Sequence, residues 1–162
     1  EEVARGEQFD YPSEAPFPEV KMRMIDCIDL FVADGGPQGL GFIRGSKVVD
    51  PDEWFFKAHF YQDPVCPGSL GIESFLQLLK YDAIQRWGHL SAGHRFEHSC
   101  RVPHSWQYRG QIVPQNQVVE VEAVITSVTD EPAPEIRADG ILTVDGLAIY
   151  HMKDYGLRIV PA

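Results

Sequence analysis

Polar and apolar residues alternate along the second half of the chain with the two-residue period of a β-strand. Residues 119–123 read Val-Glu-Val-Glu-Ala, which fits a strand with one buried face. Farther on, the short apolar runs 141–144 and 147–150 flank Asp145-Gly146, a pair that tolerates the positive φ of a type I′ turn. We therefore predict a meander of strands that ends in a hairpin.

Upstream of these strands, one long stretch predicts a helix. After the turn at Pro67-Gly68, only Gly71 would weaken a helical backbone over residues 69–87. The helix is therefore placed over residues 69–87, with Gly88 as its C-terminal stop.

A polar stripe on this helix does not fit a solvated surface. At roughly 100° per residue, Gln77 and Lys80 lie within about 40° of Glu73, yet the same face continues with Ile84 and Trp87. A uniformly exposed face would not carry those two apolar residues. We expect a helix that is apolar on most of its circumference because a sheet wraps it, with Glu73 as an enclosed carboxylate.

The first third of the chain predicts an arm and a pair of strands. Residues 1–18 are acidic and carry a proline every few residues, which favours a linker or an N-terminal arm. The apolar-rich runs 21–30 and 40–49 flank a loop signal at residues 34–37 and could form a hairpin. Short strands, one long helix and a meander together indicate a single α+β domain over residues 19–162.

Composition narrows the class of protein. A length of 162 residues with 44% hydrophobic content suits one globular domain, and a net charge of -10 without a cluster of cations disfavours nucleic acid as a partner. Three cysteines without CxxC spacing indicate reduced thiols and a cytoplasmic location. There is no apolar run that predicts a membrane span, and a start at Glu1 without a signal segment suggests a domain excised from a larger multidomain protein.

The candidate chemistry lies where a histidine precedes the start of the long helix. His59 stands among aromatic residues, and the turn at Pro67-Gly68 opens the helix. Unpaired amides at a helix start can polarise a carbonyl oxygen, and an imidazole supplies a base near neutral pH. A lone histidine among aromatic residues is more often a packed core residue, so these residues alone leave both readings open.

A longer motif lies within residues 54–77. It reads His-Phe, two residues, Asp-Pro-Val, one residue, Pro-Gly and then Glu73 on the helix. This segment resembles the active-site segment of the 3-hydroxyacyl-(acyl carrier protein) dehydratases. The resemblance continues at residues 22–26 and 108–114, which look like two of the family's strands, and at 138–150, which look like its closing hairpin. It is closest to the subgroup that also isomerises and to the dehydratase domains of polyunsaturated fatty-acid synthases. It implies the hotdog fold, a curved antiparallel sheet wrapped around one long central helix.

The resemblance also implies roles for individual residues. His59 would take the α-proton of a (3R)-hydroxyacyl thioester, and Glu73 would occupy the acid position and assist departure of the hydroxyl as water. The Gly68 amide would stabilise the charge on the thioester carbonyl oxygen. Val65 would orient His59 through its carbonyl, and Gln77 would support Glu73. The candidates for the wall of an acyl tunnel are Phe60, Cys66 and Leu70.

The same resemblance implies partners. The histidine and the acid of one family site come from two adjacent hotdog units, so we expect a homodimer or a tandem partner in one polypeptide. The substrate would be carried by an acyl carrier protein, tethered in cis in a larger synthase. No metal or redox cofactor is implied, and the histidines between His89 and His104 match no zinc spacing.

The expected activity is dehydration to a trans-2-enoyl thioester in fatty-acid or polyunsaturated fatty-acid synthesis. Isomerisation of the double bond is a further activity of the subgroup that the resemblance is closest to, although that subgroup usually has aspartate where this chain has Glu73. Two alternatives remain. One is a hotdog acyl-thioesterase, and the other is a non-catalytic hotdog unit that pairs with an active neighbour. Retention of both His59 and Glu73 argues against each.

Overall fold

The computed structural model describes residues 18–90, 93–100 and 102–162. Residues 1–17 of the predicted arm lie outside these ranges. Within the described residues, the strands are β1 Cys27–Val32, β2 Phe42–Val48, β3 His94–His98, β4 Ser105–Tyr108, β5 Val118–Thr129, β6 Glu135–Val144 and β7 Leu147–Pro161. The helices are α1 Trp54–Ala58 and α2 Gly68–Trp87, and the short 3₁₀ turns are Val20–Met22 and Gly88–Leu90.

The strands form one antiparallel sheet in the order β1-β2-β5-β6-β7-β3, and β4 also pairs with β7. The first half of β5 alternates buried and half-buried residues, as its sequence predicts. The β6–β7 hairpin turns at Asp145 and Gly146, which both have positive φ, so the predicted hairpin is confirmed. β1 and β2 also form the expected hairpin.

Helix α2 lies against the sheet along most of its length. Phe75, Leu78 and Leu79 are fully buried. Glycines on two strands allow this close approach, because a Cβ at Gly140 would lie 2.1 Å from the Phe75 ring and one at Gly45 would lie 2.9 Å from Leu78. The predicted hotdog arrangement of one long helix against a curved antiparallel sheet is confirmed.

The first predicted strand begins later than the sequence suggests. Residues 20–22 form a 3₁₀ turn, and β1 starts only at Cys27. The reason is a tertiary contact, since the Met24 N–H donates to the side-chain oxygen of Gln77 on α2 rather than to a neighbouring strand. A long-range partner of this kind has no signature in the local pattern.

Of two other predicted boundaries, one was wrong and one is confirmed. The later strand expected at residues 108–114 ends at Tyr108, because the chain beyond it turns inward and the Ile112 carbonyl accepts the N–H of Cys66. The C-terminal boundary of α2 is confirmed, because the helix ends at Trp87 with Gly88 as its cap. The φ of Gly88 is -55°, and the chain continues into the second 3₁₀ turn. Of the described residues, none belongs to a helix long and apolar enough to cross a bilayer.

Candidate active site

His59 is positioned by the end of α1 and by a turn that folds back over it. Its backbone N–H donates to the Phe55 carbonyl, 3.1 Å away. Its Nδ1 lies 3.0 Å from the carbonyl oxygen of Val65. A carbonyl oxygen can only accept, so Nδ1 carries the proton and Nε2 keeps its lone pair in the neutral ring. His59 can therefore act as a base through Nε2.

Gly68 begins α2 directly after Pro67. The first N–H groups of a helix have no acceptor within the helix, so they are available to an oxygen of a ligand. The Trp106 and Tyr108 rings cover this glycine, and an added Cβ would lie 2.8 Å from Trp106 and 3.2 Å from Tyr108. Sequence reasoning did not find these two aromatic residues, because β4 is far from the motif along the chain.

Glu73 lies in the second turn of α2, and one of its oxygens is held by two donors. The Gln77 side-chain amide donates to Oε1 over 3.0 Å, and the Lys80 ammonium donates to the same atom over 2.8 Å. The surroundings of the Glu73 carboxylate are therefore polar, with an ion pair to Lys80 where apolar side chains were expected. Lys80 was placed on the same stripe by the sequence but was given no role.

His59 and Glu73 are held by different neighbours within one chain. Across residues 18–90, 93–100 and 102–162, no hydrogen bond joins the two side chains. His59 is oriented by the loop before α2, whereas Glu73 belongs to the stripe that packs on the segment Met22–Met24 through Gln77.

The tunnel candidates separate into two groups. Cys66 and Leu70 line an apolar cavity of about 30 Å³ beneath the start of α2, together with Phe56 and Ile112. This volume suits one or two waters and is far too small for an acyl chain. Phe60 lies elsewhere, exposed and with its ring centroid 3.9 Å from that of His59. Phe60 therefore does not share this cavity with Cys66 and Leu70.

Cys66 is suited to packing rather than to nucleophilic chemistry. Burial, and then the nearby Glu53 carboxylate, raise the pKa of its thiol to about 12, so the thiolate is scarce at neutral pH. We expect iodoacetamide at pH 8 to alkylate the exposed Cys100 and to leave Cys66 intact in the folded protein. Peptide mapping by mass spectrometry would check this, and rapid labelling of Cys66 would contradict it.

The chain was compared with known protein families and with individual proteins. A FabA-like domain matches residues 17–153. One of the polyunsaturated fatty acid synthase subunits of Thraustochytrium sp. (strain ATCC 26185 / S-3) is 39% identical over 141 residues, which cover 83% of this chain. The chain spans only 9% of the length of that relative.

Solved structures agree on the fold. The dehydratase heterocomplex ApeI:P from Xenorhabdus doucetiae aligns with a TM-score of 0.59 at 12% identity and covers 87% of this chain and 86% of that one. A thioesterase from Haemophilus influenzae aligns with a TM-score of 0.50 at 7% identity, over 74% and 72% of the two chains. At such identities these likenesses concern the fold alone. With most of its length matched by the family and 39% identity to a relative, the chain belongs to the FabA-like family of hotdog domains.

Proposed function

We propose that this domain dehydrates (3R)-hydroxyacyl thioesters, carried on an acyl carrier protein, to trans-2-enoyl thioesters in fatty-acid or polyunsaturated fatty-acid synthesis. The observation that carries the proposal is the orientation of His59. Its Nδ1 donates to Val65, so the ring offers Nε2 as a base in the segment that leads into the start of α2. Membership of the FabA-like family supports the same reaction.

In this proposal the site residues divide the steps between them. His59 Nε2 takes the α-proton, and the electrons of that C–H bond form the new double bond as the β-carbon loses its hydroxyl. The Gly68 N–H binds the thioester oxygen, where negative charge develops. Glu73 binds the β-hydroxyl and passes to it the proton that His59 has taken up, so that the α-hydrogen and the hydroxyl leave together as water. Every atom is accounted for without a redox partner, and Val65 and Gln77 orient the two side chains.

A second hotdog unit completes the site. The residues of β4 are all exposed, although two of them are the large aromatic residues Trp106 and Tyr108. Such an edge invites a further strand, and exposed aromatic residues next to it are typical of an interface. These aromatic residues also cover Gly68, so a partner docked at β4 would lie beside the proposed oxyanion site. The partner is a second copy of this chain or a tandem hotdog in the same polypeptide.

The location and the carrier follow from chemistry. Cys66 and Cys100 form no disulfide among the described residues, which favours a reducing compartment, and we place the domain in the cytoplasm. With a net charge of -10, the domain would repel an acidic carrier protein in free solution. Tethering the carrier in cis raises its effective concentration and overcomes that repulsion.

The test is a mass-spectrometric assay of the purified protein with a 3-hydroxyacyl thioester of pantetheine. We expect loss of water with the thioester intact. A 3-enoyl product in addition would extend the proposal to isomerisation. Release of free hydroxy acid would replace it with the thioesterase, and no reaction from a protein shown to be dimeric by light scattering would favour the non-catalytic unit.

A further inference from the structure

One carboxylate oxygen of Glu73 is anchored twice while the other is left open. Gln77 and Lys80 both donate to Oε1, at 3.0 Å and 2.8 Å. In the part of the chain that the structure describes, Oε2 accepts no hydrogen bond. The carboxylate is therefore fixed through Oε1, and Oε2 is available to bind a substrate in a constant orientation.

The two anchors differ in how they are held. Gln77 is fully buried, donates to the Met22 carbonyl over 2.8 Å and accepts the Met24 N–H over 2.9 Å. The backbone groups of Met22 and Met24 thus hold the Gln77 amide in place. Lys80 stands one turn farther along α2, and Glu73 is its ion-pair partner.

The Lys80–Glu73 ion pair is expected to add little to the stability of the fold. The Lys80 and Glu73 side chains are only 12% and 20% exposed, so both charges have lost much of their hydration. Removing two charges from water largely offsets their attraction, and an apolar pair of similar volume is often as stable. A nearly buried ammonium at this position is therefore better explained by what it does to the carboxylate.

We propose that Lys80 is a positioning residue for Glu73. With Gln77 it fixes Oε1, so that Oε2 is presented to the β-hydroxyl of the substrate in a constant direction. Lys80 itself touches no substrate atom. This inference rests on the proposed dehydration and adds a residue to its machinery.

The experiment compares Lys80→Met and Lys80→Arg with the wild type in the water-loss assay. Lys80→Met keeps the length and apolar stem but removes the donor. We expect kcat to fall by on the order of 10²-fold with KM changed little, because a misplaced catalytic group slows the reaction more than it weakens binding. Lys80→Arg retains a charged donor and should recover most of the loss.

Three controls separate positioning from folding. Lys57→Met removes another paired lysine, whose partner Asp52 is at the surface, and should leave kcat unchanged. The Tm of Lys80→Met should stay within about 4 °C of the wild type. Added to Glu73→Gln, Lys80→Met should cause no further loss, since it acts through the carboxylate.

The outcomes are distinguishable. If the wild type releases water and Lys80→Met has the same kcat, the inference about Lys80 is wrong and the dehydration stands. An equal loss in the Glu73→Gln background, or a failure of Lys80→Arg to recover activity, would also overturn it. A wild type that loses no water would refute the dehydration itself, and the role of Lys80 with it.

Discussion

Replacing His59 with alanine is expected to slow water loss from a 3-hydroxyacyl thioester by about 10³-fold, within the range that a general base contributes. The ring is fixed by the Nδ1 contact to Val65, and no other imidazole in the described chain is placed before the start of α2. The measurement is the initial rate of enoyl thioester formation. His89→Ala is the matched control, because His89 is exposed beyond the far end of the same helix.

Mixed dimers test whether the His59 and the Glu73 of one site come from the same chain or from two chains. A heterodimer of a His59→Ala chain and a Glu73→Gln chain, purified through two different tags, contains one site with both residues intact if each site draws on two chains. We expect about half of the wild-type rate from it, against almost none from either homodimer. No recovery, in a protein whose wild type is active, would show that both residues of a site come from one chain.

Replacing Gly140 with alanine is expected to destabilise the fold by about 3 kcal/mol, at the upper end of the usual cost of overpacking. A Cβ there would lie 2.1 Å from the Phe75 ring and 2.7 Å from the Glu122 carbonyl oxygen. The carbonyl belongs to the adjacent strand and cannot move without breaking the β5–β6 ladder. Phe75 is fully buried and has no room to rotate away.

Calorimetry would show this loss as a Tm lower by about 10 °C. Gly88→Ala is the control, because Gly88 has an ordinary helical φ and nothing within 4 Å of an added Cβ. Its Tm should be unchanged or slightly raised. A Gly140→Ala variant as stable as Gly88→Ala would mean that α2 does not lie as close to the sheet as the structure shows.

The close approach at Gly140 also concerns the proposed site. Phe75 and Glu73 stand two residues apart on α2, so a helix pushed away from the sheet would carry the carboxylate with it. The proposed reaction needs that carboxylate to within fractions of an ångström. We infer that the small residues on the sheet serve the placement of Glu73 as well as the packing of the core.

Local patterns predicted the parts of the fold that local physics controls. Residues 119–123 and the Asp145-Gly146 turn carry their own period and dihedral preference, and the structure has β5 and the β6–β7 hairpin there. α2 was placed within one residue at its start. Residues 22–26 failed as a strand because Met24 bonds to Gln77, 53 positions away.

By itself the sequence determined the α+β class, the long helix, the closing hairpin and the motif from His59 to Glu73, since these depend on periodicity, turn residues and short spacings. Only the tertiary structure showed that Trp106 and Tyr108 cover Gly68 and that Lys80 holds Glu73. It also showed that different neighbours hold His59 and Glu73, and that Cys66 and Leu70 line a small cavity that does not include Phe60. Most of these features depend on contacts between elements that are far apart in the sequence. The Lys80–Glu73 contact depends on the rotamer of a side chain seven residues along the helix. The local sequence pattern determines neither.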